Sequence, residues 1–344
     1  MFLNRLTINL ARIWYTIYCS GLLLLGFIIK GKALFEKKHR DKPNCLEGWD
    51  SRYVKLQRIR LHYVQTGSDD KPLMLFIHGY PEFWYSWRFQ LEEFKNDYRC
   101  VAIDQRGYNL SDKPQGIENY TIDELVNDVK EVIETLGYDK AIVVAHDWGG
   151  CVAWQFAEKY PDMVDKLIAC NIPRPGVLVK HMSSTWSQFR KSWYMFFYQS
   201  DKIPEMMNAA DDMKMLEMCF RAPNIGLVNK ENMKDEDIEA WKYSFSQNGA
   251  SFKYPINYYR NILNDHFLHG QDKQLDMPIL LIWGMKDSAL EYRTAVKTMK
   301  TVSNGRLIRL DASHWVQQDT PKEVNYNMRQ FLEHGTNFES KDDN

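Results

Sequence analysis

Between residues 72 and 170 the chain repeats one pattern, a short apolar run followed by a stretch with helical periodicity. The runs are PLMLFIH (72–78), CVAID (100–104), AIVVAH (141–146) and KLIAC (166–170). Helices are expected near 85–96, from Ile122 to Leu136 and from Gly149 to Lys159. Strands apolar on both faces belong in parallel sheets covered on each side by crossover helices, so the rhythm predicts an α/β fold. Ahead of it, alternating apolar residues from Tyr53 to Leu56 and from Leu61 to Val64 predict antiparallel strands. Thr121, three residues before Glu124, has the form of a capping box. From Ile172 to about Asp276 the strand rhythm disappears, and Met, aromatic and charged residues dominate, with helical stretches near 184–199, 204–219 and 235–246. Strands return with PILLIW (278–283) and RLIRL (306–310), and a last helix runs from about Lys322 to Glu333. The expected organisation is one α/β core over 51–172 and 277–335, a helical cap inserted at 173–276, and a flexible tail at 336–344.

The N-terminus obeys different rules. Ile13 to Ile29 reads IWYTIYCSGLLLLGFII without a charge. As a helix this is about 25 Å long, at the short end of what spans a bilayer. Arg5 and Arg12 precede it and Lys30, Lys32, Lys37, Lys38 and Arg40 follow. The basic excess on the C-terminal side predicts a membrane anchor over 1–30 and a polar linker over 31–50. With it goes a single pass, in the endoplasmic reticulum, with the catalytic part on the cytosolic side. A cleaved signal sequence competes, because Gly31-Lys32-Ala33 loosely imitates a cleavage site, and a helix buried against the protein is the third reading. Over the whole chain 44 Lys and Arg balance 45 Asp and Glu, which argues against a nucleic-acid binder. The six cysteines are far apart and form neither a zinc pattern nor a disulfide framework. His266 and His269 are spaced to share a helix face, but no third metal ligand is evident.

The chemistry is concentrated where AIVVAH runs into Asp147-Trp148-Gly149-Gly150. A residue on a sharp strand-to-helix turn, flanked by small residues, is lifted above the sheet edge as a nucleophile. The alternative for Asp147 is a helix N-cap. In α/β-hydrolases the nucleophile is followed by an acid after a late strand and a histidine after the next. Asp287 follows PILLIWGMK and His314 follows RLIRLDAS, so residue types and order both match. His78-Gly79-Tyr80-Pro81 ends the first long apolar strand, where this fold draws one oxyanion N–H. Pro81 has no N–H, which leaves the backbones of Tyr80 and Trp148 as donors. His78 reads as structural, since His314 already supplies the base.

Together HGYPEFWYSWR, DQRGYNLSDKP and HDWGG, with Asp287 and His314, resemble the epoxide hydrolase branch of the α/β-hydrolases. The apolar N-terminus makes the chain most similar to the membrane-anchored animal epoxide hydrolases of the type 3 and type 4 group. The resemblance spans about residues 50–335. It implies an α/β-hydrolase fold, a mostly parallel sheet with a helical cap inserted, and conversion of epoxides to vicinal diols through an alkyl ester on Asp147. His314, oriented by Asp287, would activate the water that hydrolyses the ester. Two cap tyrosines would protonate the leaving alkoxide. By motif position these are Tyr194 and Tyr259, with Tyr198 and Tyr258 as the neighbouring alternatives. Trp148, Tyr80, Trp315 and Tyr198 would line the substrate pocket. The implied partners are a small apolar epoxide, such as a fatty-acid epoxide, and a membrane through the N-terminal helix. No metal or organic cofactor is implied.

Two other functions compete. A haloalkane dehalogenase shares HDWGG and the aspartate attack, but that family typically has Asn where this chain has Tyr80. A catalytically silent hydrolase fold used as a binding protein would be expected to lack a member of the triad, and here all three are present.

Overall fold

The structure, a computed structural model, describes residues 5–247, 249–262 and 274–338. Its centre is an eight-stranded sheet in the order β1-β2-β4-β3-β5-β6-β7-β8. The strands are β1 (Asp50–Lys55), β2 (Arg60–Thr66), β3 (Leu73–Ile77), β4 (Arg99–Ile103), β5 (Ala141–His146), β6 (Val164–Cys170), β7 (Ile279–Gly284) and β8 (Gly305–Leu310). β1 and β2 pair antiparallel, and β2 runs antiparallel to β4. All pairings from β4 through β8 are parallel. Burial is deepest in the central parallel strands and falls off at both edges of the sheet, β1 and β8. Every residue of β3, β4, β5 and β7 is buried, whereas β1 is mostly exposed. Each fully buried Val, Leu, Ile or Phe side chain contributes roughly 1.5–3 kcal/mol, so the central strands β3, β4, β5 and β7 contribute heavily to folding.

The helices are α1 (Arg5–Lys30), α2 (Arg88–Phe94), α3 (Ile122–Thr135), α4 (Asp147–Lys159), α5 (Pro175–Ser184), α6 (Trp186–Lys191), α7 (Trp193–Phe197), α8 (Ile203–Arg221), α9 (Asp235–Ser244), α10 (Lys253–Ile262), α11 (Tyr292–Met299), α12 (Val316–Asp319) and α13 (Pro321–His334). α3 turns Leu125, Val126, Val129, Val132 and Ile133 inward, the stripe its periodicity requires. Thr121 occupies its N-cap position, but the Thr121 side chain makes no capping bond, so the capping box is not formed. α5 to α10 stand between β6 and β7 in the chain. α8 is broken in the middle, where Asp211, Asp212 and Met213 all have left-handed backbone angles (φ 53°, 59° and 58°). α1 lies against α7 and α8 rather than standing free. His266 and His269 fall outside the described residues.

Candidate active site

Asp147 is the first residue of α4, directly after β5, and its φ of 49° bends the chain so that its carboxylate clears the strand end. The turn has no room for larger neighbours. A methyl group on Gly149 would sit 2.2 Å from the Ile77 carbonyl oxygen, and one on Gly79 would sit 2.5 Å from Asp147 Cβ. These contacts explain the small residues of the motif in packing terms.

The loop after β3 meets this turn. The Tyr80 N–H donates to Asp147 Oδ1 at 2.9 Å. His314 Nε2 lies 3.6 Å from the other oxygen, Oδ2, and its Nδ1 lies 2.7 Å from Asp287 Oδ2. Asp147, Asp287 and His314 are 9%, 7% and 6% exposed. The structure therefore brings the three residues together in the order carboxylate, imidazole, carboxylate. Burial works against a charged His314, but the Asp287 and Asp147 carboxylates outweigh it and raise its pKa to about 10. The carboxyls of Asp287 and Asp147 are also desolvated, yet the imidazolium and N–H donors hold both below the usual carboxylate range.

Asp287 is fixed on every side. Its Oδ1 accepts the Ala289 and Leu290 N–H groups, both at 2.8 Å, and its Oδ2 accepts the Asn171 Nδ2 amide at 2.7 Å. Asn171 follows β6 with φ 45° and accepts the Gly284 N–H through its own Oδ1, which ties the end of β6 to the end of β7. Sequence reasoning missed Asn171 and its positioning contact with Asp287. Its residue type was the available signal, because Asn tolerates left-handed backbone better than most residues.

His146 acquires a physical role. Its Nδ1 meets Glu82 Oε2 at 2.6 Å and its Nε2 donates to the His314 carbonyl at 2.9 Å. Glu82 is fully buried, and it also accepts the Gly79 N–H and the side-chain amides of Gln317 and Gln318. This network joins the loop after β3, the β5–α4 turn and the segment after β8, the three places from which the site is assembled. Sequence reasoning missed Glu82, although it sits inside HGYPE. His78 is structural in its contacts: its Nδ1 faces the Gly79 carbonyl and its Nε2 accepts the Gln105 N–H. The DQRGYNLSDKP turn is also a brace, with Asp104 accepting the Trp84 N–H and the Asn109 amide.

The cap contributes aromatic rings. Tyr259, on α10, meets Trp148 at 5.0 Å, Tyr80 at 5.4 Å, Tyr198 at 4.9 Å and Tyr194 at 5.8 Å, in edge-on contacts throughout. Tyr194, on α7, is half-buried. Burial raises the pKa of both phenols, and the nearby Asp147 carboxylate raises them further. The four tyrosines differ in what their hydroxyls do. Tyr258 donates to the Arg106 carbonyl at 2.8 Å and faces the core turn. Tyr198 shares Asn208 Nδ2 with the Tyr80 hydroxyl, at 3.2 and 2.6 Å. Among the described residues the Tyr194 and Tyr259 hydroxyls have no hydrogen-bond partner. Trp315 packs beside His314 at 5.0 Å, while its Nε1 donates to the Cys219 carbonyl on α8. Among the described residues no group of three His, Cys, Asp or Glu is arranged to hold a metal ion.

Comparison with known proteins identifies the family. Residues 72–321 match the family model described as alpha/beta hydrolase fold. The chain is 66% identical to Epoxide hydrolase 1 of Caenorhabditis elegans over 333 residues, 96% of this chain and 82% of the relative. It is 41% identical to Epoxide hydrolase 4 of Homo sapiens, over 96% of each. The crystal structure of the Bacillus megaterium epoxide hydrolase with an inhibitor superimposes with a TM-score of 0.75 at 36% identity, covering 82% of this chain and all of that one. The chain belongs to the epoxide hydrolase family of the α/β-hydrolase fold.

Proposed function

We propose that this chain hydrolyses epoxides to vicinal diols through an alkyl ester on Asp147, in an active site closed by a helical cap over residues 173–276. The observation that carries the reading is a carboxylate, rather than a hydroxyl, held at the strand-to-helix turn by the Tyr80 N–H and close enough to two cap phenols to raise their pKa. Asp147 Oδ1 is held by the Tyr80 N–H, so Oδ2 is the oxygen that attacks the epoxide carbon. A carboxylate needs no base for this step, because it is already ionised. The C–O bond breaks as the ester bond forms, and the departing alkoxide takes a proton from Tyr194 or Tyr259.

Ester formation changes the electrostatics of the site. Asp147 loses its negative charge, and His314 keeps only Asp287 as a counter-charge, so its pKa falls from about 10. The imidazolium gives up its proton, which restores the tyrosine, and the neutral Nε2 becomes a base for water. Water then attacks the Asp147 carbonyl carbon, and the Tyr80 and Trp148 N–H groups stabilise the charge on Oδ1. Collapse expels the diol oxygen, which takes its proton from the new Asp147 carboxylic acid by way of His314, and leaves the Asp147 carboxylate beside the His314 imidazolium as at the start.

The substrate class inferred is a small apolar epoxide, fatty-acid epoxides included, because Tyr80, Trp148, Tyr198, Tyr259 and Trp315 surround the carboxylate with aromatic surface. α1 is long and apolar enough to attach the enzyme to a membrane. The basic residues that follow it favour the anionic cytosolic face of the endoplasmic reticulum for the catalytic part. The test is a single-turnover reaction of the purified chain with a chromogenic epoxide, followed by mass spectrometry of the peptide containing Asp147. The expected result is diol formation and a transient adduct on Asp147, both absent in Asp147→Ala. Absence of diol from the wild-type chain would sink the enzymatic reading. Diol without the adduct would sink the ester.

A further inference from the structure

The contacts of α1 fall on one stripe. Ile8, Ala11 and Tyr15 pack against the main core, Cys19 is buried, and Leu23 joins Leu34 and Ala210 in a small apolar cluster. Directional contacts fix the stripe along its length. The Tyr15 ring meets Trp193 of α7 at 5.8 Å, the Thr16 hydroxyl bonds that of Ser200, and Lys30 Nζ pairs with Asp211 of α8 at 2.6 Å. From Ile8 to Lys30 the docked length is about 33 Å at about 1.5 Å per residue, comparable to the hydrocarbon thickness of a bilayer. At about 100° per residue, Leu10, Trp14, Ile17, Leu24 and Ile28 fall on the opposite side, and they are 58–71% exposed.

Crossing a bilayer and lying on the cap exclude each other. A crossing α1 with these contacts would carry the adjoining cap surface into hydrocarbon, including the exposed charges of Asp201 and Lys202 and the Lys30–Asp211 pair. An in-plane helix keeps one stripe on protein and buries the other in lipid, which is the two-faced pattern seen here. The exposed cations Lys32 and Lys37 follow the apolar face, where anionic headgroups would meet them.

We infer that α1 lies in the plane of the membrane, docked along the cap, with the Leu10–Trp14–Ile17–Leu24–Ile28 face in one leaflet of a lipid bilayer. The cap helix it touches through Trp193 is the one that carries Tyr194, so the bilayer surface lies beside the cap wall of the active site.

The inference is tested on the full chain in microsomes, with no readout of epoxide turnover, so it stands or falls independently of the proposed reaction. With tags at both ends, protease should reach both from the same side of the membrane. Thr16→Cys with Ser200→Cys should form a disulfide in the membrane-bound protein on mild oxidation. Leu10→Glu, Ile17→Glu and Leu24→Glu together should reduce flotation with phosphatidylcholine–phosphatidylserine vesicles at least tenfold, with an unchanged unfolding temperature. Tags on opposite sides, a cleaved N-terminal tag, failure of the engineered disulfide to form, or unchanged flotation would each overturn it. So would a salt-stable dimer joined through the substituted face, because a second copy of the chain would then be the occupant.

Discussion

The core and cap halves of the active site are built on opposite principles. On the core side every charged atom is engaged: Asp287 accepts two backbone N–H groups, Asn171 and His314, and Glu82 joins His146 to Gly79, Gln317 and Gln318. On the cap side Tyr194 and Tyr259 are held by ring edges, and no described residue binds their hydroxyls. Buried charges must be satisfied in the resting protein or they destabilise it by several kcal/mol. A neutral phenol can wait for its acceptor at much lower cost, so the fold fixes its charges in the core and presents its proton donors from the cap.

This division assigns separate steps to the two halves, and substitutions can break it. The largest effect is expected for His314→Gln. Ring opening should survive as a burst of about one equivalent, while turnover falls about 10³–10⁴-fold as the ester accumulates. Steady slow turnover without a burst would show that His314 also serves the first step. Next, Tyr194→Phe with Tyr259→Phe should slow ring opening about 10²–10⁴-fold and leave hydrolysis of a preformed ester unchanged, as stopped-flow would resolve. Equal slowing of both steps would erase the distinction between core and cap.

A third expectation concerns pH. His314 has a folded pKa near 10, above the unfolded value near 6.5. Its ion pairs therefore stabilise the fold fully below about pH 6.5, and this contribution is lost as pH rises through about 10. In Asp147→Asn one of the two carboxylates is gone, so NMR should find a lower His314 pKa. Thermal unfolding of that variant should depend less on pH between about 6.5 and about 10. A His314 pKa unchanged by the substitution would remove the charge switch from the mechanism. The smallest effect is expected for Tyr258→Phe, which removes a bond to the Arg106 carbonyl. It should cost about 1 kcal/mol in stability by denaturant unfolding and change ring opening less than about twofold. A loss as large as that from Tyr259→Phe would exchange the roles of the two neighbours.

Much of the core was legible in the sequence because its determinants are local. The apolar runs became buried parallel strands, and the positions of Asp147, Asp287 and His314 after β5, β7 and β8 follow from chain order alone. What stayed hidden depends on partners distant in sequence. Nothing near Asn171 announces Asp287, more than a hundred residues later, and nothing near His146 announces Glu82. The adjacent pair Tyr258 and Tyr259 could not be separated by periodicity, because consecutive residues on a helix point about 100° apart and either side can face a pocket. Thr121 shows the converse, a local signature whose position is kept while the bond is not made. The apolar segment at residues 13–29 announced its hydrophobicity but not the docked stripe, which depends on an insertion nearly two hundred residues away.

The break in α8 gives the N-terminal segment a mechanical meaning. Left-handed backbone costs roughly 1–2 kcal/mol for each residue other than glycine, and Asp211, Asp212 and Met213 adopt it in succession. Lys30 holds Asp211, and Lys38, Arg40 and Lys242 converge on Asp212. One turn before the break, Asn208 grips the hydroxyl of Tyr80, whose N–H holds the Asp147 carboxylate. Residues 30–40 thus act as a clamp on the helix that braces the nucleophile. An enzyme trimmed of its first forty residues to gain solubility would lose three of the four cations at the break.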